Sequence, residues 1–403
     1  MNAGDFLDRI DLAALPGAVS RRARAAARFR ATGWPTRADE AWHYTDLNAR
    51  LKSFDLALPA EAGSVAGLIP ETDLPRIVFV NGRFAEDLST KMPGLGCYAS
   101  DAALTEGRDQ PMVALNAALA QDGAVLDIAE SVDAGTVLLV SIAHAAHQAA
   151  IAPRHRIRLG AGAALTLIEI ARGEGEYLHN PVVEIALGEG AVLRHYRLQD
   201  EAMAAVHVAT IFADLASGAR YDSFTLNCGA RLSRNETHAT LAGAKADVHL
   251  NAAQLLTGSQ HGDITTIVAH DAPNCASRQT VKSVLSGAAR GVFQGRIEVA
   301  RIAQKTDGYQ MNQALLLSPD AEIDSKPELE IFADDVKCSH GATIGALDPE
   351  QVFYLRSRGI PEAEARAMLI RAFLDEALEP VTDATAHRLF EDAIDAWWRK
   401  GVL

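Results

Sequence analysis

Between about residue 129 and residue 343, short runs of alternating apolar and polar residues recur, among them Leu165-Thr166-Leu167-Ile168-Glu169-Ile170 and Val192-Leu193-Arg194-His195-Tyr196-Arg197-Leu198. Period-two alternation turns one set of side chains to a buried face, so each run predicts a half-buried β-strand. A Gly-Ala pair precedes most of them: Gly162-Ala163, Gly190-Ala191, Gly218-Ala219, Gly243-Ala244 and Gly287-Ala288, with a variant at Asp320-Ala321. Successive glycines stand 28, 28, 25 and 44 residues apart. A period in the twenties that carries strands and no helical pattern predicts a β-solenoid, because no rung can bury its inner face alone and rungs must stack. A β-sandwich is the competing reading, but sandwiches do not need one turn to return at near-constant distance. The 44-residue step predicts an insertion or a rung with a different corner.

Helical patterns flank this region. Ala and Arg recur at helical spacing from Leu15 to Phe29, and Gly33-Trp34-Pro35 stops that helix. Trp42 and Tyr44 read as core anchors beside a turn. Ile77 to Phe84 reads strand–turn–strand around Asn81-Gly82. Near the end, Asp348-Pro349-Glu350-Gln351 caps a helix that Gly359 terminates. A second helix opens at Pro361 with an apolar stripe of Ala365, Met368, Leu369, Ala372 and Phe373, and a third carries Phe390, Ile394, Trp397 and Trp398. Simple packing is the expected role of that Trp pair. The organisation expected is an N-terminal helical domain over 1–74, a mixed α/β connection over 75–128, the β-helix core over 129–343 and a C-terminal helical domain over 344–403.

Composition narrows the function classes. The chain has 403 residues, 48% hydrophobic and only 6% aromatic, so small and branched residues dominate, as thin repetitive stacking requires. A net charge of −14 argues against nucleic acid as a partner. The basic run Arg21, Arg22, Arg24, Arg28 and Arg30 reads as a solvated helix face. It is not taken for a transit peptide because Asp5, Asp8 and Asp11 precede it. The longest uncharged stretch, from Ala134 to Pro153, contains His144, His147 and Gln148 and reads as a buried strand plus a connection rather than a membrane helix. A soluble, cytoplasmic protein is expected.

Four widely spread cysteines, Cys97, Cys228, Cys275 and Cys338, form neither a disulfide framework nor a local zinc motif. Closely spaced cysteines for a permanently housed iron–sulfur cluster are missing. So are the Walker A, G-x-S-x-G and H-E-x-x-H motifs. One segment stands out, Lys337-Cys338-Ser339-His340-Gly341. In an extended chain Cys338 and His340 share a face, and a thiolate beside an imidazole suits iron or zinc. Two ligands leave the coordination sphere incomplete, which suits a transient, shared site. Burial of the cysteine as an ordinary core residue is the alternative on spacing alone.

Several segments carry a resemblance: Gln304-Lys305-Thr306-Asp307-Gly308-Tyr309-Gln310, Leu315-Leu316-Leu317, Asp324-Ser325-Lys326-Pro327, and the run from Leu329 through Cys338-Ser339-His340-Gly341-Ala342-Thr343 to Asp348. With Phe353 to Ile360 and Glu40-Ala41-Trp42-His43-Tyr44-Thr45 they resemble the SufB/SufD family of the SUF iron–sulfur assembly system, where His43 replaces the usual arginine. The Cys-Ser-His-Gly-Ala-Thr wording sides with the SufD branch, since SufB carries His-Glu-Ala-Thr there. The resemblance implies a non-catalytic scaffold with a right-handed parallel β-helix flanked by helical domains. It implies pairing with SufB through the β-helix ends, and binding of the SufC ATPase through the C-terminal helices at Phe353, Tyr354, Leu355, Arg356, Arg358, Gly359 and Ile360. Cys338 and His340 would then lie near a transient iron–sulfur cluster shared with SufB. A homodimer in isolation and a reduced flavin on the complex are left open.

Two other classes compete with this reading. A polysaccharide-acting β-helix enzyme needs paired carboxylates in a groove, and adjacent Asp334 and Asp335 would face opposite ways in a strand. A purely structural adaptor would carry Cys338 and His340 as packed residues only.

Overall fold

The computed structural model describes residues 3–399, apart from 17, 53, 61, 62, 64, 93, 94, 98–109 and 145–147. Its centre is a parallel β-solenoid of eight rungs, from Ala124–Ile128 and Asp133–His144 at one end to Glu322–Ile331 and Lys337–Gly345 at the other. Strands one rung apart pair in parallel and in register, so Leu159, Leu187, Leu215 and Leu241 form one continuous inner ladder. Each such buried leucine is worth about 1.5–3 kcal/mol relative to exposure, and neighbouring rungs share the gain. The antiparallel hairpin Arg76–Val80 and Arg83–Phe84, turned at Asn81 and Gly82 (φ 51° and 77°), adds to the first rung. The mainly β solenoid and its flanking helices are as the sequence predicts.

The corner that sets the period is a column of left-handed residues: Gly162, Gly190, Gly218, Lys245, Asn274 and Lys305, spaced 28, 28, 27, 29 and 31 residues apart. Each peptide N–H there donates to the carbonyl before its successor, as in Gly162 to Glu189 at 2.8 Å and Lys245 to Pro273 at 3.1 Å. Gly243 and Gly287 therefore do not belong to one series. Lys245 takes the corner beside Gly243, while Gly287 stacks on Gly258 at another corner, with Ala288 N bonded to Gly258 O at 2.7 Å. The apparent 44-residue step mixed two corners and hides no insertion. After each left-handed residue comes a small buried one, namely Ala163, Ala191, Ala219, Ala246, Cys275 and Thr306. Cys275 is thus a corner-filling residue.

The helices cover outer faces. Glu362–Leu378 and Ala384–Arg399 lay Ile370, Leu374, Phe390, Ile394 and Trp397 against Ile168, Ile170, Tyr196, Phe224 and Val284 on the outside of the ten-stranded sheet. Trp397 is buried and Trp398 half-buried. At the other side, Val19–Thr32 and Pro111–Leu119 pack with Phe6, Trp34 and Trp42 over Ala150, Leu178, Val206 and Leu232. Arg22 is not on a solvated face: it is buried, and its guanidinium donates to the carbonyls of Pro16, Ala118 and Ala120, the last two closing the end of Pro111–Leu119. The Ala134–Pro153 stretch holds the strands Asp133–His144 and Ala149–Ile151, while His147 lies outside the described residues. No helix among the described residues is long and apolar enough to cross a membrane.

Candidate functional site

The eighth rung is uncapped. Glu322–Ile331 and Lys337–Gly345 are the last strands of the two sheets, and each leaves one edge without a neighbouring strand. Earlier rungs bury most of their inward positions, whereas no residue of these two strands is buried. Cys338 pairs with Gly308 and His340 with Gln310, both buried inward positions, so the two side chains share the face that looks along the bore. With no further rung above, His340 is exposed and Cys338 half-buried, packed beside Ile297, Val299 and Ala333. The thiol is pushed up by burial and, less strongly, by Asp307, so it is a protonated group that a metal would have to displace a proton from. One rung in lie Gln310 and Asn312, fully buried, whose side-chain amides have no hydrogen-bond partner among the described residues. The floor beneath His340 is therefore polar and unsatisfied, as an apolar plug would not leave it, while Cys338 sits over Gly308 and apolar side chains. Asp334 and Asp335 sit in the exposed bend between the two strands.

Beside this rung projects the helix Pro349–Ser357. Asp348 caps it by accepting from Glu350 N at 2.8 Å, Pro349 occupies its first turn, and Gly359 (φ 90°) follows its end. It has no buried residue: Phe353 is 72% and Tyr354 56% exposed, with Leu355 and Ile360 half-buried. Arg358 folds over the Tyr354 ring at 5.0 Å and donates to its hydroxyl at 3.0 Å, while Arg356 pairs with Glu362 at 3.1 Å. Two bare aromatics framed by arginines match the composition of interaction hot spots.

The N-terminal Trp42–Thr45 element docks on the solenoid through a buried ion network. The Arg234 guanidinium lies 4.3 Å under the Trp42 ring and bonds Glu236 at 2.8 Å and Asp263 at 2.5 Å. The Thr45 hydroxyl donates to Asp263 at 2.6 Å and lies 2.8 Å from His261 Nε2. Tyr44 is half-buried and His43 exposed, which explains why this position tolerates histidine.

Sequence reasoning missed a polar half of the bore. Glu169 bonds His195 at 2.9 Å and Arg197 at 3.3 Å, and Glu201 lies between His179 and His207 at 2.9 and 2.6 Å. The pairs 169/197 and 179/207 are one 28-residue rung apart, and that spacing was the available signal.

These features define a class, a helix-flanked parallel β-solenoid whose open end offers a thiol, an imidazole and an unpaired strand edge. Residues 141–373 match the family model described as SUF system FeS cluster assembly, SufBD core domain. The chain is 34% identical over 370 residues to the iron–sulfur cluster assembly protein SufD of Escherichia coli, covering 87% of this chain and 86% of that one. It is 31% identical over 397 residues to an iron–sulfur cluster assembly SufBD family protein of Synechocystis, covering 90% and 87% respectively. A third relative, the chloroplastic protein ABCI7 of Arabidopsis thaliana, is 35% identical over 231 residues, 56% of this chain and 49% of that one. The chain belongs to the SufBD family of iron–sulfur cluster assembly proteins, as the motifs of its last third imply.

Proposed function

We propose that this chain is the SufD-type, non-catalytic scaffold subunit of an iron–sulfur assembly complex in the cytoplasm. Its uncapped eighth rung pairs with the corresponding end of a SufB-type subunit, and the helix Pro349–Ser357 with its Gly359-Ile360 cap binds a SufC-type ATPase. Cys338 and His340 contribute to a transient iron–sulfur site completed by the partner. The observation that carries this reading is the bare last rung, with His340 exposed over a floor of buried, unpartnered amides. Edge geometry favours pairing through Lys337–Gly345, because Pro327 interrupts the N–H row of the other edge strand.

The test is cluster transfer from the reconstituted complex to an apo-acceptor. His340→Ala should lower transfer at least about tenfold with complex formation intact, since losing even an outer contact to a metal ligand costs about that much. Transfer at the wild-type rate by an intact His340→Ala complex would refute ligation. The half-buried apolar packing of Cys338 keeps the adaptor reading alive for that residue, and Cys338→Ser in the same assay separates the two.

A further inference from the structure

The polar half of the bore holds three side chains that the proposed role leaves idle. His179 ends the strand Tyr177–His179, and His207 lies opposite it in the next rung on Val206–Leu215. Glu201 follows the strand Val192–Asp200 and enters between them. All three are at most 4% exposed. Glu201 Oε1 lies 2.9 Å from His179 Nδ1 and Oε2 lies 2.6 Å from His207 Nδ1, and one ligand-type atom from each residue falls within 4.8 Å of the others. Gln199 donates to Glu201 Oε2 at 3.0 Å and is itself held by Gly229 N, also at 3.0 Å, so the carboxylate is oriented from outside the triad.

We propose that His179, Glu201 and His207 form a buried site for one divalent first-row transition cation, with Zn2+ as its probe. Two imidazoles and a carboxylate are a recurrent donor set for such ions, and Gln199 supplies the orienting outer contact they usually have. The charge balance points the same way. No lysine or arginine is ion-paired to Glu201 among the described residues, and His207 Nε2 is buried with no hydrogen-bond partner. A tetrahedral cation bonded at about 2.0–2.2 Å to each donor sets the donor atoms about 3.4 Å apart, so the present contacts must open by about 0.5–0.8 Å, within the reach of side-chain rotation. Residues 201–205, next to the site in sequence, form a turn whose tip Met203 is 47% exposed. The ion would tie adjacent rungs together at that corner, independently of the open eighth rung.

The experiment uses the full chain carrying Cys338→Ser and His340→Ala, so that the terminal rung cannot contribute. It is refolded with Zn2+ or Co2+, passed through gel filtration and analysed for metal. One cation per chain, visible d–d bands with Co2+, and a thermal midpoint raised by Zn2+ are expected. Adding Glu201→Gln, which keeps the shape, should abolish all three while the far-ultraviolet spectrum stays β. Should that variant fail to fold, the parent alone decides. A parent refolded with Zn2+ that carries no cation and gives no Co2+ bands overturns the site, as does equal metal in a folded Glu201→Gln variant.

Discussion

Replacing Glu236 by Gln tests whether the buried ion network, and with it the docking of the Trp42–Thr45 element, stabilises the fold. Burial alone would push the Glu236 carboxyl up, but Arg234 and His238 outweigh it and hold it at about 2, against an ordinary 4.5. Its oxygens bond Arg234 at 2.8 Å and His238 at 2.7 Å, with Gln110 at 3.1 Å. A depression of that size is worth about 3 kcal/mol at neutral pH, at 1.36 kcal/mol per unit. Breaking a buried pair costs about 3–5 kcal/mol by an independent route. The sign follows from linkage: a depressed carboxylate contributes its stability above its unfolded value and loses it as pH falls through the folded one. The wild-type advantage should therefore be level above about pH 5 and shrink between there and about pH 2. Urea unfolding of both proteins across that range, followed by tryptophan fluorescence with Trp42 stacked on Arg234, measures it. A gap below about 0.5 kcal/mol at pH 7, or one unchanged down to pH 2.5, would refute the reasoning.

The corner column yields a graded set. Gly218→Ala meets nothing closer than Gly190 N at 4.0 Å and should cost only the left-handed strain, about 1 kcal/mol, while Gly243→Ala brings a methyl to 2.0 Å from Ser217 N and should cost several times more. Lys245→Gly relieves the same strain and should leave the urea midpoint unchanged or raised. Phe353→Ala and Tyr354→Ala, being exposed, should shift stability by no more than about 0.5 kcal/mol yet weaken binding of a SufC-type ATPase by about 2 kcal/mol each in calorimetry. Trp397→Ala empties a fully buried site between helix and solenoid and should cost about 3–5 kcal/mol by denaturant unfolding.

How much was legible in the chain depends on how local the cause was. Alternation marked the strands because one face of each is buried. The Asn81-Gly82 turn and the Asp348-Pro349 cap were readable because their chemistry lies within four residues. The corner column was readable only where glycine fills it. Lys245, Asn274 and Lys305 adopt the same backbone without its signature, so the period blurred after Gly218. Arg22 looked solvated because its partners, Ala118 and Ala120, lie almost a hundred residues away. The histidines of the bore give no local signal for the same reason, since 28-residue spacing means contact only once the rung length is known. Cys338 and His340 were found by strand parity, but their exposure follows from the solenoid ending there, which no local pattern states.

Anaerobic iron and sulfide reconstitution of this chain, alone and together with SufB- and SufC-type partners, tests the shared-site claim most directly. Little cluster on the isolated chain and much more on the assembled complex, with iron and sulfide counted per complex, is the predicted result. A stable, stoichiometric cluster on the chain by itself would contradict it.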